Sequence, residues 1–596
     1  MKHILSFLFI CTFLFAQAQD EILPRGLTKE EKAIFERGDF QLYQPDRGIT
    51  SPPPFQNLRC MAEWEEIQAL TIAWVGYPGI LKQIVAAAQT ETQVIILSED
   101  PQATENYLLS NQGTTALPNL DNVTIVNAQY DSVWMRDYAA NPVYGSEVDD
   151  LILVDWIYNR PRPNDDASPE AIAAELNIPL YTLTEAPTDL VNTGGNWMSD
   201  GFGTAFASEL ILEENAVNNP YNVTPKSVND IDAIMTEWLG IDRYIKMTTL
   251  PYDGIHHIDM HMKLLDEETL LVGEYPEGIA DGPQINANIE YVLNNFQSKW
   301  GTPFKVVRIP MPPSTSGLWP SSSPTPGYYR TYSNAVFVNK TVILPTYREE
   351  YDTTAIRIWQ EALPGYRIVG IDSDNQSEPI IAASGAIHCI THSVGVQDPM
   401  LISHQPLPDT DNTIDDYRVE AYINHRSGIS NAKLFYKTSL AANYEEVSMT
   451  DIGNHLFEAY IPAQPEGTTV YYYVQGTSVS GKVLNRPMPA PEGYWSFRVL
   501  GEIVATIEEA TEQTFGKVFP NPASELTCIK LQLNSGQEGE IQLFNSVGQQ
   551  IAVLKKGTFS PGESTHFFDA SPYASGSYYL RFSSTNVNAT YPLMIK

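Results

Sequence analysis

Cysteine is scarce in this chain: 4 in 596 residues. Small secreted domains lean on dense disulfides, and four scattered thiols cannot supply such a framework. Positive charge is short as well. Lys and Arg number 36 against 72 Asp and Glu, a net −36, so the basic footprint that neutralises phosphates is missing. Neither nucleic acid nor an anionic membrane surface is an expected partner. Taken over the whole chain, the acidic excess reads first as a soluble surface dispersed by self-repulsion, and second as a field that draws cationic ligands. No transmembrane segment is expected either, because no apolar run reaches the roughly 20 residues that a membrane helix needs. The apolar stretch 4–15 follows Lys2 and His3 and precedes Ala16-Gln17-Ala18, the pattern of a secretory signal peptide ending in a small-residue cleavage site. Residues 1–18 are therefore expected to be removed, Cys11 with them. Cys60, Cys389 and Cys528 remain, distant and odd in number, so at least one thiol stays free unless the chain pairs with another molecule.

A chain of 596 residues exceeds one core and suggests about three to five domains. Residues 19–59 are punctuated by Pro and Gly, including Ser51-Pro52-Pro53-Pro54, and read as an extended N-terminal arm. Short apolar runs at 69–75 and 94–97 flank a helical stretch at 80–89, and strand signals recur at 151–154 and 335–344. This alternation predicts an α/β domain over 60–400, without a sequence repeat of fixed period. Over 401–500 the helical pattern fades. Strands at 419–423, 432–436 and 470–474, separated by Gly, Asn and Pro turns, fit a β-sandwich of about 100 residues. A polar, acidic linker at 501–514 leads to 515–596, where strand signals at 541–544 and 578–582 predict another all-β unit.

Chemistry concentrates at Ser384-Gly385-Ala386-Ile387-His388-Cys389-Ile390-Thr391-His392. A thiolate is the reactive form of cysteine, and a nearby cation lowers its pKa from about 8.5, which makes Cys389 the candidate nucleophile. Alone, the run more commonly marks a buried cysteine acting as a small hydrophobe. Four upstream stretches bear on it: Val133-Trp134-Met135-Arg136-Asp137-Tyr138, Thr193-Gly194-Gly195-Asn196, His256-His257-Ile258-Asp259 and Thr331-Tyr332-Ser333-Asn334. In a strand, residues two apart share a face, so His257 and Asp259 would point into one pocket. A metal is the alternative for that pair, but only His261 stands near as a third ligand. No metal and no cofactor is called for.

Together these runs, with Met61-Ala62-Glu63-Trp64-Glu65 ahead of them, resemble the superfamily of guanidine-modifying enzymes that holds agmatine deiminases and bacterial peptidylarginine deiminases. The likeness spans about residues 60 to 395, with the motifs in the family's order. It implies a fivefold α/β propeller (pentein) with the site at its centre. It also implies roles: Asp137 and Asp259 hold a guanidinium, which is planar and always charged; Cys389 attacks its carbon; His257 protonates departing ammonia and then deprotonates water. Asn334 would stand beside the sulfur, and Trp134 and Ile255 would border the substrate. His388, next to the nucleophile in an extended strand, is expected to face away. Activity is expected to survive chelation.

Two departures bear on the substrate. Thr193 stands where agmatine deiminases have Glu, and Tyr138-Ala139-Ala140 replaces a residue followed by Gly-Pro. By contrast, Tyr158-Asn159-Arg160-Pro161-Arg162-Pro163-Asn164-Asp165-Asp166 resembles the secreted peptidylarginine deiminases. Arg160 and Arg162 are then expected to bind the α-carboxylate of a C-terminal arginine through charge-assisted bonds, where the plain alternative is a rigid surface turn. The resemblance adds an immunoglobulin-like module over 401–500. Residues 515–596 resemble a type A sorting domain of the type IX secretion system, through Phe519-Pro520-Asn521-Pro522, Gly576-Ser577-Tyr578-Tyr579 and Lys596. The expected protein is a secreted or cell-surface hydrolase that turns peptidyl arginine into citrulline, with an arginine-containing peptide and the type IX machinery as partners. A small-guanidine hydrolase acting on agmatine is the second reading, and a catalytically silent adhesion protein the third.

Overall fold

The computed structural model describes residues 22–43, 48–321, 328–500, 515–523, 526–545, 549–584 and 587–595. The signal peptide and the 501–514 linker lie outside the described residues. Between residues 59 and 395 one plan recurs in five sheets. In each, a strand runs antiparallel to one neighbour and parallel to another that it reaches through a helical crossover, as parallel pairing requires. In one sheet Ile67–Ala73 leads through the helix Pro78–Ala88 to Gln93–Ser98. Leu151–Tyr158, Thr204–Ser208, Thr269–Glu274 and Thr341–Thr346 are the corresponding strands of the other four. All eight residues of Leu151–Tyr158 are buried, the near-continuous apolar run of a strand covered on both faces. The sheet that contains Ile67–Ala73 is completed from the far end of the region: His392–Gly395 pairs antiparallel with it, His392 opposite Thr71. The structural recurrence carries no sequence repeat, since hydrophobic pattern alone specifies each unit.

Two expectations about local structure are corrected. The run 335–344 is a hairpin of Val336–Val338 and Thr341–Thr346, turned at Asn339, whose φ of 50° is left-handed; Asn adopts that conformation more readily than most residues. Nor is the arm merely extended. Lys29–Arg37 is a helix with a complete capping box, Thr28 bonding the Glu31 amide and Glu31 bonding the Thr28 amide, and it ends at Gly38. Thr-x-x-Glu is a helix-start signal that the surrounding prolines and glycines mask.

Beyond residue 400 the regular elements among the described residues are all strands. Two antiparallel sheets between Leu401 and Arg498 share one core containing Val419, Ile423, Leu434, Val474 and Phe497. Two more between Phe515 and Ile595 enclose Ile529, Leu531, Leu543 and Phe582. Cys60, Cys389 and Cys528 are buried free thiols. Burial pushes the Cys60 thiol up to about 12, so it behaves as a small apolar side chain.

Candidate active site

The site is built where loops leading into all five sheets converge. Asp137 lies on the one-turn helix Met135–Tyr138, and Trp134 just before it. Gly194–Asn196, Ile258–Met260 and His388–Ile390 are single 3₁₀ turns. Asn334 immediately precedes the Val336–Val338 hairpin. The strand expected for His257 and Asp259 is therefore a turn: His257 is extended and Asp259 lies inside the 3₁₀ turn, so they reach the site without sharing a strand face. A chain of bonds holds this turn in place. Asn196 Oδ1 accepts from the Ser208 amide at 2.8 Å, and Ser208 Oγ donates to the His256 carbonyl at 2.7 Å.

What these loops enclose is a guanidinium, and it belongs to the arm. Arg25 is completely buried. Its Nε donates to Asp137 Oδ2 and its Nη2 to Asp137 Oδ1, both at 2.8 Å. Nη1 and Nη2 also reach Asp259 Oδ1 and Oδ2 at 3.2 Å, and Nη1 reaches Cys389 Sγ at 2.7 Å. With one contact from Nε and two from each terminal nitrogen, all five N–H groups of the side chain have an acceptor. Gly195 is where this geometry requires a missing side chain. A Cβ there would stand 1.8 Å from Arg25 Nη2, 2.5 Å from His257 Nδ1 and 2.7 Å from Asp137 Oδ1. Gly385 makes room in the same way for the Trp134 ring, whose Cζ3 would lie 2.3 Å from a Cβ.

Electrostatics follow from burial and from this cation. Desolvation, the largest single influence, pushes the Asp137 and Asp259 carboxyls up, but Arg25 and His257, joined for Asp259 by His388, together outweigh it; both acids end below the ordinary carboxylate range. Burial, then Arg25, lowers His257 to about 4 against the pull of Asp137, whose Oδ1 is 3.4 Å from Nδ1. The imidazole is neutral at pH 7. Burial raises the Cys389 thiol well above its usual value; Arg25 pulls it down, and Asp259 and Asp137 push it up. Sγ has Asn334 Oδ1 at 3.3 Å and the Ala386 amide at 3.4 Å.

His388 faces the site, contrary to expectation. Its Nδ1 is 2.8 Å from Asp259 Oδ2 and its Nε2 is 2.7 Å from Glu63 Oε1. The alternation argument fails because residues 388–390 form a 3₁₀ turn, where neighbours in sequence do not point to opposite faces. Glu63 in turn meets Arg136 Nη1 at 3.3 Å and forms an ion pair with Lys263. Glu63 stood in a quoted motif without a role, whereas nothing beyond its type marked Arg25 among the residues of the arm.

A second group of side chains grips the arm's main chain. Arg160 Nε donates to the Arg25 carbonyl at 3.1 Å. Arg162 Nη2 donates to the carbonyls of Pro24 at 2.8 Å and Gly26 at 3.1 Å, and Nε pairs with Glu31 Oε1 at 2.7 Å. Trp134 Nε1 bonds the Leu23 carbonyl at 3.0 Å. The loop is pinned from behind by Asp165, whose carboxylate accepts from the amides of Asp131 and Ser132 at 2.8 Å and the Ser132 hydroxyl at 2.6 Å. Ile255 is buried and, with Arg160, Gly26 and Leu27, lines an adjoining cavity of about 520 Å³.

Residues 59–394 match the family described as Porphyromonas-type peptidyl-arginine deiminase, and residues 517–596 match a secretion system C-terminal sorting domain, which indicates export from the cell or to its surface. A putative agmatine deiminase of Marinomonas sp. (strain MWYL1) is 23% identical over 383 residues, 58% of this chain and 96% of its own. One from Mycoplasma capricolum is 25% identical over 311 residues, 48% of this chain and 81% of its own. Among solved structures, the putative arginine deiminase from Porphyromonas gingivalis aligns at 18% identity with 57% of this chain and 99% of that one, TM-score 0.48. The agmatine deiminase of Enterococcus faecalis aligns at 18% identity with 59% and 100%, TM-score 0.48.

Proposed function

We propose that this chain, which belongs to the Porphyromonas-type peptidyl-arginine deiminase family, hydrolyses the guanidinium of arginine held in a peptide, giving a ureido group and ammonium. The observation that carries this reading is the way Arg25 is held. Its head group lies on Asp137, Asp259 and Cys389, while its own carbonyl and those of Pro24 and Gly26 lie on Arg160 and Arg162. Agmatine has no main chain for those two arginines to hold. Because the chain continues through Gly26, the reading also moves from a C-terminal arginine to one with peptide on both sides, and the adjoining cavity supplies room for it.

The residues then act as follows. Cys389 Sγ attacks the guanidinium carbon, and its thiol proton passes by way of His257 to one terminal nitrogen, which leaves as ammonia. A cationic thiouronium remains between Asp137 and Asp259, the setting in which a fixed, desolvated pair of carboxylates stabilises it most. His257, neutral, takes one proton from water as the oxygen adds to the carbon; the C–S bond then breaks and the adduct's hydroxyl proton passes to the leaving sulfur, which restores the Cys389 thiol. The proton on His257 ends on ammonia, so guanidinium and water become urea and ammonium. Asn334 orients the sulfur, and Trp134 and Ile255 bound the substrate's chain.

Further readings rest on the same footing. Five sheets of one plan, with the last strand of the region joined to Ile67–Ala73, support a fivefold propeller over 60–400. The shared core of two sheets supports an immunoglobulin-like module over 401–500. The sorting-domain match supports export by the type IX system after Sec targeting through residues 1–18, with 515–596 as the sorting unit. Substrate choice is tested by steady-state kcat/KM for one peptide with an internal arginine, the same peptide ending at that arginine, and agmatine. The internal-arginine peptide is expected to lead. Agmatine turned over fastest, with equal values for the two peptides, would favour the small-guanidine reading.

A further inference from the structure

We propose that Arg25 is a modification site: the enzyme deiminates its own arm in cis, and the arm excludes other substrates until that turnover has occurred. This rests on the deiminase reading above. Arg25 shares no more than its residue type with a foreign substrate, yet it holds every contact the pocket offers. Both carboxylates and the sulfur are occupied by its five N–H groups, and the side chain is fully buried, so no second guanidinium fits.

The arm is also anchored independently of that head group. The Arg25 amide donates to the Ala383 carbonyl at 3.0 Å. Glu31, on the capped helix, pairs with Arg162, and Phe35 and Phe40 stack at 5.2 Å with Tyr221 against the edge of both. A ligand tethered this way competes at an effective concentration set by the tether, roughly millimolar for short linkers. Dissolved peptides face that competitor at every encounter.

The target lies within reach of the reacting groups. Sγ of Cys389 lies 2.7 Å from Nη1 of the guanidinium, and His257 Nδ1 is 3.4 Å from Asp137 Oδ1, which holds the same head group. The step balances as for any substrate. One C–N bond of the guanidinium is broken and one C–O bond from water is made, the Cys389 thiol is regenerated, and nitrogen leaves as ammonium. Residue 25 becomes a ureido side chain. It then has three N–H groups in place of five and turns a carbonyl oxygen toward two buried carboxylates, and it has lost the charge that held them. Asp137 and Asp259 are left without their cation, so the head group withdraws and the pocket opens to peptides.

The test uses purified full-length protein. Mass spectrometry of the peptide containing residue 25 is expected to find a ureido group in wild type and a guanidino group in Cys389→Ala. Mixing Cys389→Ala with active Arg25→Ala enzyme should leave the former's Arg25 unmodified, because its own site hides it. In the Cys389→Ala background, a fluorescent arginine peptide is expected to bind about a hundredfold more tightly when Arg25→Ala is added. Arg25→Gln, closer in size, serves as the second variant if alanine prevents folding. An unmodified Arg25 in active wild type would overturn the proposal, as would modification in trans or equal peptide affinity with and without Arg25. If Arg25→Ala released no ammonia from any arginine peptide, the deiminase reading itself would fail; an active Arg25→Ala beside unmodified wild type would sink only the present inference.

Discussion

The guanidinium pocket and the loop that grips the arm's main chain hold the same residue by different means. In the pocket, charge is matched to charge in complete burial, and each reacting group is braced by another side chain: Glu63 on His388, His388 on Asp259, Asn334 on the sulfur. At the loop, Arg160 and Arg162 reach for carbonyl oxygens and for Glu31, all of which belong to the arm. The pocket therefore holds a head group and the loop holds main chain of the arm. Losing the arm leaves two buried carboxylates without a cation in the pocket, whereas at the loop it only frees donors that water or another peptide can satisfy.

The sharpest way to break this division is at the sulfur. Cys389→Ser is expected to abolish ammonia release from every substrate, since the hydroxyl does not supply a nucleophile of comparable ionisation, while thermal unfolding stays near wild type. Retained turnover would remove Cys389 from its role. Asp137→Asn and Asp259→Asn should each lower kcat/KM for peptides and agmatine alike, because both carry the same head group. Truncating one partner of a desolvated charged pair costs about 2 to 5 kcal/mol, and the measurement is the ratio of the two losses. A loss confined to peptides would merge pocket and loop.

Arg162→Ala should act on the other side of the comparison. Hydrogen bonds to charged groups are worth roughly 1.5 to 3 kcal/mol, so kcat/KM for an internal-arginine peptide is expected to fall by one to two decades through KM, and that for agmatine by much less. Equal falls would deny the loop its reading of main chain. A smaller effect is expected from Glu63→Gln, which leaves the pocket's contacts in place but loosens His388. It should lower kcat several-fold and shift the pH profile of kcat, and Glu63→Asp should restore the profile in part; an unmoved profile would make Glu63 merely structural.

The smallest effect concerns stability. His257 is lowered in the fold to about 4 from its ordinary 6.5, so between these values the unfolded chain binds a proton that the folded one does not. Stability tied to His257 is complete above about pH 6.5 and declines as pH falls toward 4. The depressed Asp137 and Asp259 add stability that is complete above their ordinary range, near 4, and lost as pH falls below it. Burial raises Asp165, Asp166 and Glu214 to about 7, and these act oppositely, gaining as pH falls through 7. Chemical denaturation of His257→Gln should therefore show a flatter decline than wild type from pH 6.5 to 4. Parallel curves would mean that His257 is charged in the fold.

Much of the pocket was legible before any coordinates. A cysteine between histidines, a His-x-Asp pair and a Trp-x-Arg-Asp run declare their chemistry through residue type, and the alternation of apolar runs declared an α/β region followed by β-rich ones. Two misreadings share one cause. His388 was turned the wrong way, and His257 and Asp259 were placed on a strand, because periodicity assigns faces only when the element is known, and these segments are 3₁₀ turns too short to show a period.

The sequence by itself determined which residue types stand as candidates to react, the acidic excess of 72 Asp and Glu over 36 Lys and Arg, and the order of α/β and all-β regions, since these depend on residue type and on neighbours within a few positions. Only the tertiary structure decided what fills the pocket. Arg25 and Cys389 are 364 positions apart, and no local pattern in the arm distinguishes one arginine from another. Their meeting is fixed by packing, which desolvates Asp137 and Asp259 together and leaves two buried negative charges that a cation must compensate. A chain supplies that cation from wherever its fold brings an arginine within reach, and here the fold brings it from the arm.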